Sequence, residues 1–503
     1  MNGKKNILLI TSDQQHYSTI GKINPEIKTP NLDRLCETGT MYDRAYTVNP
    51  TCTPTRASLI TGKYPSQHGA WTLGTKLPET EHTIGEDFMK AGYHTALIGK
   101  AHFQPLKGTD KYPSLEAYPI LQDLEFWKNH NDIFYGFEHS ELARNHTNEA
   151  HVGQHYALWL EEKGCKNWRD YFLPPTGNLD VTKKFVWDIP EEYHYDAWIA
   201  ERTNAMLEQY SNNSENFFMW ASFFDPHPEY LVPEPYASMY DPDKITPCRI
   251  FPGEHDNNSP FHKLSQEKNP DVSSYDKTGF GLHGVHSHLR DEETLKKQTA
   301  IYYGMVTLMD KYIGKILDKL DELGLTENTV VVFTTDHGHF YGHHGLTAKG
   351  PFMYEDLIKI PFITRCANQT ETGNISHAMQ SLIDLPETFL DFCGINLPDG
   401  TAGVNQKDVW LGLTESVREW ASCEHHHERG TVNLRTYINK RYKITVYENM
   451  QCGDLFDLQN DPKELCNLWD NPDYSEIKSK LLYEFVLAEM KKEPKFMPRI
   501  AGA

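Results

Sequence analysis

Four short runs of apolar, β-branched and aromatic residues recur along the chain, and each stops abruptly at polar or charged groups. They are Ile7–Thr11, Ala96–Gly99, Phe217–Phe224 and Val330–Thr335. Apolar runs of this length without alternation read as strands buried on both faces. Between them the apolar positions change to helical spacing. In Tyr302–Leu323, for example, Met305, Leu308, Met309, Tyr312, Ile313, Ile316 and Leu320 form one stripe. Strands alternating with helices predict an α/β fold, a large, mixed, mainly parallel sheet sandwiched by helices. In such sheets ligands bind beyond the carboxyl ends of the strands. Those ends carry Asp13-Gln14, Lys100-Ala101-His102, Asp225-Pro226-His227-Pro228 and Asp336-His337-Gly338. Any one of them alone reads as a cap, a turn or a surface lysine. Four together predict one crevice.

Past residue 395 the pattern changes. Leu397-Pro398-Asp399-Gly400 reads as a loop, and a boundary near 405 divides the chain into 1–405 and 406–503. Thr436–Asn439 and Tyr442–Tyr447 flank Lys440-Arg441 as a hairpin, Asp454–Asp457 is a further short strand, and Ser475–Lys491 is an amphipathic helix. These elements predict a small antiparallel α+β subdomain. Residues 110–290 are rich in aromatics and loop signals, including Trp127, Trp159, Trp168, Trp187 and Trp198. They read as an insertion walling the crevice, with the tryptophans either packing a core or serving as platforms for a sugar ring.

At 503 residues the chain is too long for one ordinary core, which agrees with two units. Its 70 acidic and 49 basic residues give a formal charge of −21, which argues against nucleic-acid or anionic-membrane partners. A small anionic substrate remains open, because beyond about 8 Å the global charge is screened. Nine cysteines without CxxC pairs suggest neither a zinc ribbon nor a disulfide framework, and fit a reducing compartment. The N-terminal apolar run is too short for a signal-peptide core and no stretch approaches a membrane span. The expectation is a soluble, cytoplasmic protein, periplasmic or secreted if a leader has been removed.

The most informative stretch is Cys52-Thr53-Pro54-Thr55-Arg56, continuing to Thr61-Gly62. Pro54 disfavours helix at Thr53, so Cys52 is expected just before a helix that begins at Thr55. Free N–H groups there favour a thiolate or a bound tetrahedral anion. This Cys-x-Pro-x-Arg pattern resembles the signature of the type I sulfatases, whose cysteine is oxidised to formylglycine by a maturation enzyme. With the strand-end segments, the likeness spans roughly residues 5 to 360 and implies the alkaline-phosphatase-like fold.

The resemblance assigns roles residue by residue. Asp13, Asp336 and His337, with the oxygen made from Cys52 and with Gln14 as a further ligand or neighbour, would hold a divalent cation. Ser12 and His337 stand where many sulfatases have Asp and Asn. One imidazole among fewer carboxylates leaves Mn2+ as an alternative to Ca2+, the first choice. Arg56, Lys100 and Lys349 would cradle the sulfate. His227 would be the general acid, with Lys349 beside it, and His102 the base that expels sulfate and restores the aldehyde. The expected activity is hydrolysis of a sulfate monoester on a carbohydrate, so the partners are a small or oligosaccharide sulfate ester and the maturase. A homo-oligomer is compatible with this reading.

Three rivals bear on it. A phosphonate monoester or phosphodiester hydrolase shares the fold and the formylglycine but carries other residues at Lys100 and His102. A non-catalytic glycan- or anion-binding relative would leave Cys52 unconverted. A zinc enzyme would use His337–His344 or Glu424–Glu428, neither of which has HExxH spacing. The His425–His427 segment is expected as a loop at the cleft rim.

Overall fold

The computed structural model describes residues 4–144, 151–172, 186–428, 431–494 and 500–502. Eight strands form the main sheet. Their spatial order is His139–Leu142, His94–Gly99, Phe217–Ser222, Asn6–Ser12, Thr329–Thr335, Phe362–Arg365, Thr40–Tyr42 and Asn374–Ser376. The five strands from His139–Leu142 to Thr329–Thr335 run parallel, and Phe362–Arg365 is antiparallel to both of its neighbours. The sheet is therefore mixed and mainly parallel, as expected.

Alternation within the central strands explains the sandwich. Leu8 and Ile10 join Met219, Val331 and Phe333 in one apolar layer, while Ile7 and Leu9 join Phe218, Trp220, Val330 and Val332 in the other. Both layers exclude water, so the strands read as unbroken apolar runs. Truncating a fully buried side chain such as Leu8 to alanine costs about 2–5 kcal/mol at sites of this kind. The first layer is closed by the helix Glu292–Glu322, which begins nearly three turns before Tyr302, where its apolar stripe is expected to start. Asp291 caps it, accepting from Thr294 N at 2.7 Å, and Glu292 and Glu293 face the positive end of its dipole. Those polar first turns carry no apolar signal to read.

The insertion supplies core. Trp127, Trp159, Trp168, Trp187 and Trp198 are all buried within the two layers, so none is a sugar platform. Their indole N–H groups are satisfied inside the protein in four cases, for example Trp187 to Tyr171 O at 2.7 Å. That arrangement suits packing, since each ring gains more from burial than from a wet face.

The second unit is a four-stranded antiparallel sheet, Ala421–Glu428, Val432–Ile438, Tyr442–Tyr447 and Gly453–Asp457, with the helix Ser475–Lys491 on one face. Leu481, Phe485 and Ala488 pack on Tyr437, Ile444 and Leu455. The other face meets the large unit, where Glu424 N donates to Val48 O at 2.8 Å. Beyond the expected boundary at 405, Lys407–Trp410 still belongs to the large unit's packing. Trp410 stacks on Phe392, meets Phe389 edge-on and lies tilted against Phe362. Among the described residues, no helix is long and apolar enough to cross a membrane.

Candidate active site

The Cys52–Thr61 helix carries the signature, and all ten of its residues are buried. It starts at Cys52 rather than after it. Pro54 is the third helical residue, where its missing N–H would have had no intrahelical partner, and the ladder begins with Thr55 N to Thr51 O at 3.4 Å. Gly62, at φ 66°, closes the helix in the left-handed conformation and donates to Ser58 O.

Strand ends and this helix converge on Cys52 Sγ. Lys349 Nζ lies 3.0 Å away, His337 Nε2 3.2 Å and Asp13 Oδ1 3.7 Å. Arg56, one turn along, donates from Nε to Asp336 Oδ2 at 2.9 Å and from Nη1 to Lys100 O at 2.9 Å and Ser222 Oγ at 2.8 Å. Lys100 Nζ forms a short contact with Asp13 Oδ2. Lys349 Nζ also sits 3.4 Å from His227 Nε2. His102 lies behind, its Nε2 2.6 Å from Arg144 Nη2. The structure therefore brings Asp13, Gln14, Cys52, Arg56, Lys100, His227, Asp336, His337 and Lys349 together, with His102 one residue further out.

The protonation states follow from burial and neighbours. Burial would raise the Asp13 carboxyl, but Lys100 and Arg56 hold it well below the usual range. Asp336 is also lowered, against burial and the Asp13 charge, by His337 and Arg56. His337 is pushed down to about 4, chiefly by burial. Its Nδ1 faces Gly338 O at 3.0 Å and donates to it, so Nε2 presents a lone pair toward Cys52. The Cys52 thiol is raised by burial and then by Asp13, so no thiolate is favoured there despite the helix N-terminus. As a cysteine, this residue is a poor nucleophile.

His227 is held neutral by burial and by Lys349. Its Nδ1 donates to Pro228 O, leaving Nε2 as an acceptor for the Lys349 ammonium. A neutral His227 must gain a proton before it can act as an acid through Nε2. At His102, Nε2 accepts from a guanidinium that cannot give up its proton, so a base acting through Nε2 must displace Arg144.

The donor set fits a divalent metal. Asp13, Cys52, Asp336 and His337 place ligand atoms within 4.8 Å of one another. Gln14 donates from N to Asp336 Oδ1 at 3.0 Å and from Nε2 to His339 Nδ1 at 2.7 Å, which leaves its buried Oε1 without a partner. An orphaned carbonyl oxygen beside two carboxylates is what a hard cation would satisfy. Other histidines are spent elsewhere. His343 and His344 both face the Asp356 carboxylate, and His16 Nδ1 accepts from Ser18 N, so its proton sits on Nε2 toward Asp356. His16, His343 and Asp356 place ligand atoms within 4.8 Å of one another, a second group that could hold a metal ion apart from Cys52. The His425–His427 segment lies in the Ala421–Glu428 strand rather than in a loop, with His425 buried and His427 donating to Gly281 O at 2.9 Å.

Above Cys52 opens a cleft of about 470 Å³. Its wall adds residues that strand-end reading missed, namely Arg144, His283, His286, Leu73 and Leu106. Arg144 follows the strand His139–Leu142, whose His-Ser-Glu-Leu sequence carries no apolar run to announce it. Ser222, which ends Phe217–Ser222, was hidden as an ordinary small residue yet fixes the Arg56 fork.

Comparisons with known proteins agree with this geometry. The family model described as Sulfatase matches residues 5–395, and that of the N-sulphoglucosamine sulphohydrolase C-terminal region matches 342–492. An arylsulfatase of Clostridium perfringens is 29% identical over 490 residues, covering 94% of this chain and 92% of its own. An N-acetylglucosamine-6-O-sulfatase of Bacteroides thetaiotaomicron is 23% identical, covering 93% and 83%. The crystal structure of a phosphonate monoester hydrolase of Agrobacterium radiobacter superposes with a TM-score of 0.78 at 22% identity, over 98% and 96% of the two chains, a likeness of fold. With a family model spanning most of its length and a relative matched along nearly the whole of both chains, this chain belongs to the sulfatase family and is a sulfuric ester hydrolase.

Proposed function

We propose that the protein hydrolyses a sulfate monoester on a carbohydrate, with formylglycine made from Cys52 by a maturase and with Ca2+, or alternatively Mn2+, held by Asp13, Gln14, Asp336, His337 and the converted residue. The observation that carries the reading is the convergence of Lys349, His337 and Asp13 on one buried Cys52 sulfur. That sulfur is itself a poor nucleophile, so the surroundings suit an oxygen nucleophile better than a thiolate. Formylglycine supplies a hydrated aldehyde as that nucleophile, and the metal supplies charge that favours its ionisation. The N-acetylglucosamine-6-O-sulfatase among the relatives supports a sugar as the alcohol.

The remaining work falls to this chain's residues. Arg56, fixed by Asp336, Ser222 and the Lys100 carbonyl, orients the reacting side chain, and Lys100 and Lys349 draw the sulfate oxygens into place. His227 acts as the general acid toward the departing alcohol oxygen, with Lys349 3.4 Å from its Nε2 as the neighbouring donor. His102 takes the last proton, with Arg144 orienting its ring. The nine unpaired cysteines support a cytoplasmic site of action. Mass spectrometry of the Cys52 peptide, made beside sulfate release from an aryl sulfate, tests the proposal. Formylglycine occupancy that tracks activity is the expected result; unmodified cysteine in an active preparation overturns it.

A further inference from the structure

Among the described residues, one cation of the cleft wall stands apart from Cys52 and the carboxylates around it. Arg144 is 3% exposed and lines the cleft. Its Nη1 pairs with Glu116 Oε2 at 3.2 Å and its Nη2 holds His102 at 2.6 Å, while Nε is buried with no partner. Glu116 is itself fixed, its Oε1 accepting from Phe103 N at 3.0 Å and Gln104 N at 3.3 Å. The guanidinium is thus braced from behind. Lys349 touches the Cys52 sulfur and Arg56 and Lys100 are bound to Asp336 and Asp13, whereas Arg144 contacts only the wall.

The other polar groups of that wall are imidazoles. Burial and Lys349 depress His283 to about 3, and burial also lowers His286, so both rings are neutral near pH 7. No carboxylate lines the cleft among the described residues, since Asp13 and Asp336 lie beneath it and are neutralised by Lys100 and Arg56. A cationic alcohol would meet the guanidinium directly, because its partner carboxylate, Glu116, is buried and does not line the cleft. An anionic one would meet the cleft-facing side of a guanidinium that Glu116 and His102 hold in place.

Resting on the sulfatase reading above, we propose that Arg144 recognises a second anionic group on the leaving alcohol, a carboxylate or another sulfate close to the scissile ester. The preferred substrates are then polyanionic sulfate esters, and quaternary-ammonium esters are excluded. A charge-assisted hydrogen bond from a guanidinium separates an anion from a neutral isostere by about 10- to 100-fold.

The test uses formylglycine-bearing enzyme and aryl sulfates that differ only in one ortho or meta substituent: carboxylate, sulfate, hydroxymethyl or trimethylammonium. Sulfate release gives kcat/KM for each. The expected order is carboxylate or sulfate above hydroxymethyl by about tenfold or more, with trimethylammonium lowest. The carboxylate and sulfate arms show which anion is meant. R144Q should lose about 10- to 100-fold more on the anionic esters than on the hydroxymethyl ester, mainly in KM, and R144K should recover part of the difference. Equal rates across the wild-type panel overturn the inference while leaving the sulfatase reading in place. An equal loss on every ester in R144Q does the same, because it marks Arg144 as a support for His102 alone. If R144Q fails to fold, the wild-type order decides. No sulfate from any ester removes the parent reading and this one with it.

Discussion

At the floor of the cleft, each charged group is held by elements from different parts of the chain. Asp13 meets Lys100 and Arg56, Asp336 meets Arg56 and the Gln14 amide, and Lys349 meets Cys52, His227 and His337. The wall is built otherwise. His283 and His286 come from a stretch of turns between helices, His283 Nδ1 has no partner, and Gly281 is tied down by His427 from the second unit. A network of paired charges fixes reacting atoms to a fraction of an ångström, as catalysis requires, whereas neutral rings on loops can accept different alcohols. The difference teaches that reaction and specificity are encoded in separate layers. Substitutions in the floor should therefore change rates for every substrate, and those in the wall should change the ranking of substrates.

The largest effect expected is at Cys52. Cys52→Ala should abolish sulfate release, by about 10⁴-fold or more, because the nucleophile is gone and no neighbouring group can replace it. The melting temperature should stay within a few degrees of wild type, since the change removes one sulfur from a packed helix. Sulfate release near the wild-type rate would break the comparison at its base. Next comes Arg56→Lys. It keeps the charge but cannot make the fork to Asp336, Ser222 and the Lys100 carbonyl, and kcat should fall by about 10²–10³-fold with every ester tested. A loss confined to some substrates would move Arg56 from the floor to the wall. His102→Ala, at the seam of the two layers, should slow sulfate release more than alcohol release, by about 10–10³-fold. Stopped-flow measurement of alcohol against sulfate separates the two, and equal slowing would deny His102 a part in the second half of the reaction.

The floor was readable in the sequence because its residues violate the grammar of their surroundings. Asp13 and Asp336 follow fully buried strands with apolar centres, and Lys100 has no reason to follow Ile98-Gly99 unless something binds it. The sheet was readable for the same reason, since both faces of its central strands are buried. Other features left no such trace. Arg144 follows a strand of four residues, two of them polar and one a half-buried histidine, which no periodicity distinguishes from a loop. The five tryptophans looked equally suited to core and to platform, because composition does not say which face of a helix meets the sheet. His425–His427 suggested a loop through its polarity, yet it forms a strand whose His425 ring is buried. Helix starts were misread where tertiary contacts, not propensity, decide them. Pro54 sits harmlessly in a first turn, and the polar opening of Glu292–Glu322 is stabilised by its cap.

The smallest effect concerns acid sensitivity under the floor. His68 is fully buried beside the signature helix, with Nε2 3.0 Å from Ser58 Oγ and Nδ1 accepting from Ala70 N at 3.2 Å. Burial lowers its pKa from 6.5 to about 4. The sign follows from proton counting. Between about pH 6.5 and pH 4 the unfolded chain binds a proton at this ring and the native protein does not, so unfolding gains free energy as the pH falls. The contribution is about 1.4 kcal/mol for each pH unit within that window. Above pH 6.5 it vanishes. His68→Gln keeps a polar side chain that can meet Ser58 but cannot titrate. The variant should start from a slightly lower melting temperature at pH 7 and lose less than wild type on acidification to pH 4.5. Activity at pH 7 should move by less than threefold, about the scatter of a distant substitution. Parallel melting curves for the two proteins across that pH range would show that the histidine ionises without opening the helix. The acid limit would then belong to the charged floor, not to the packing beneath it.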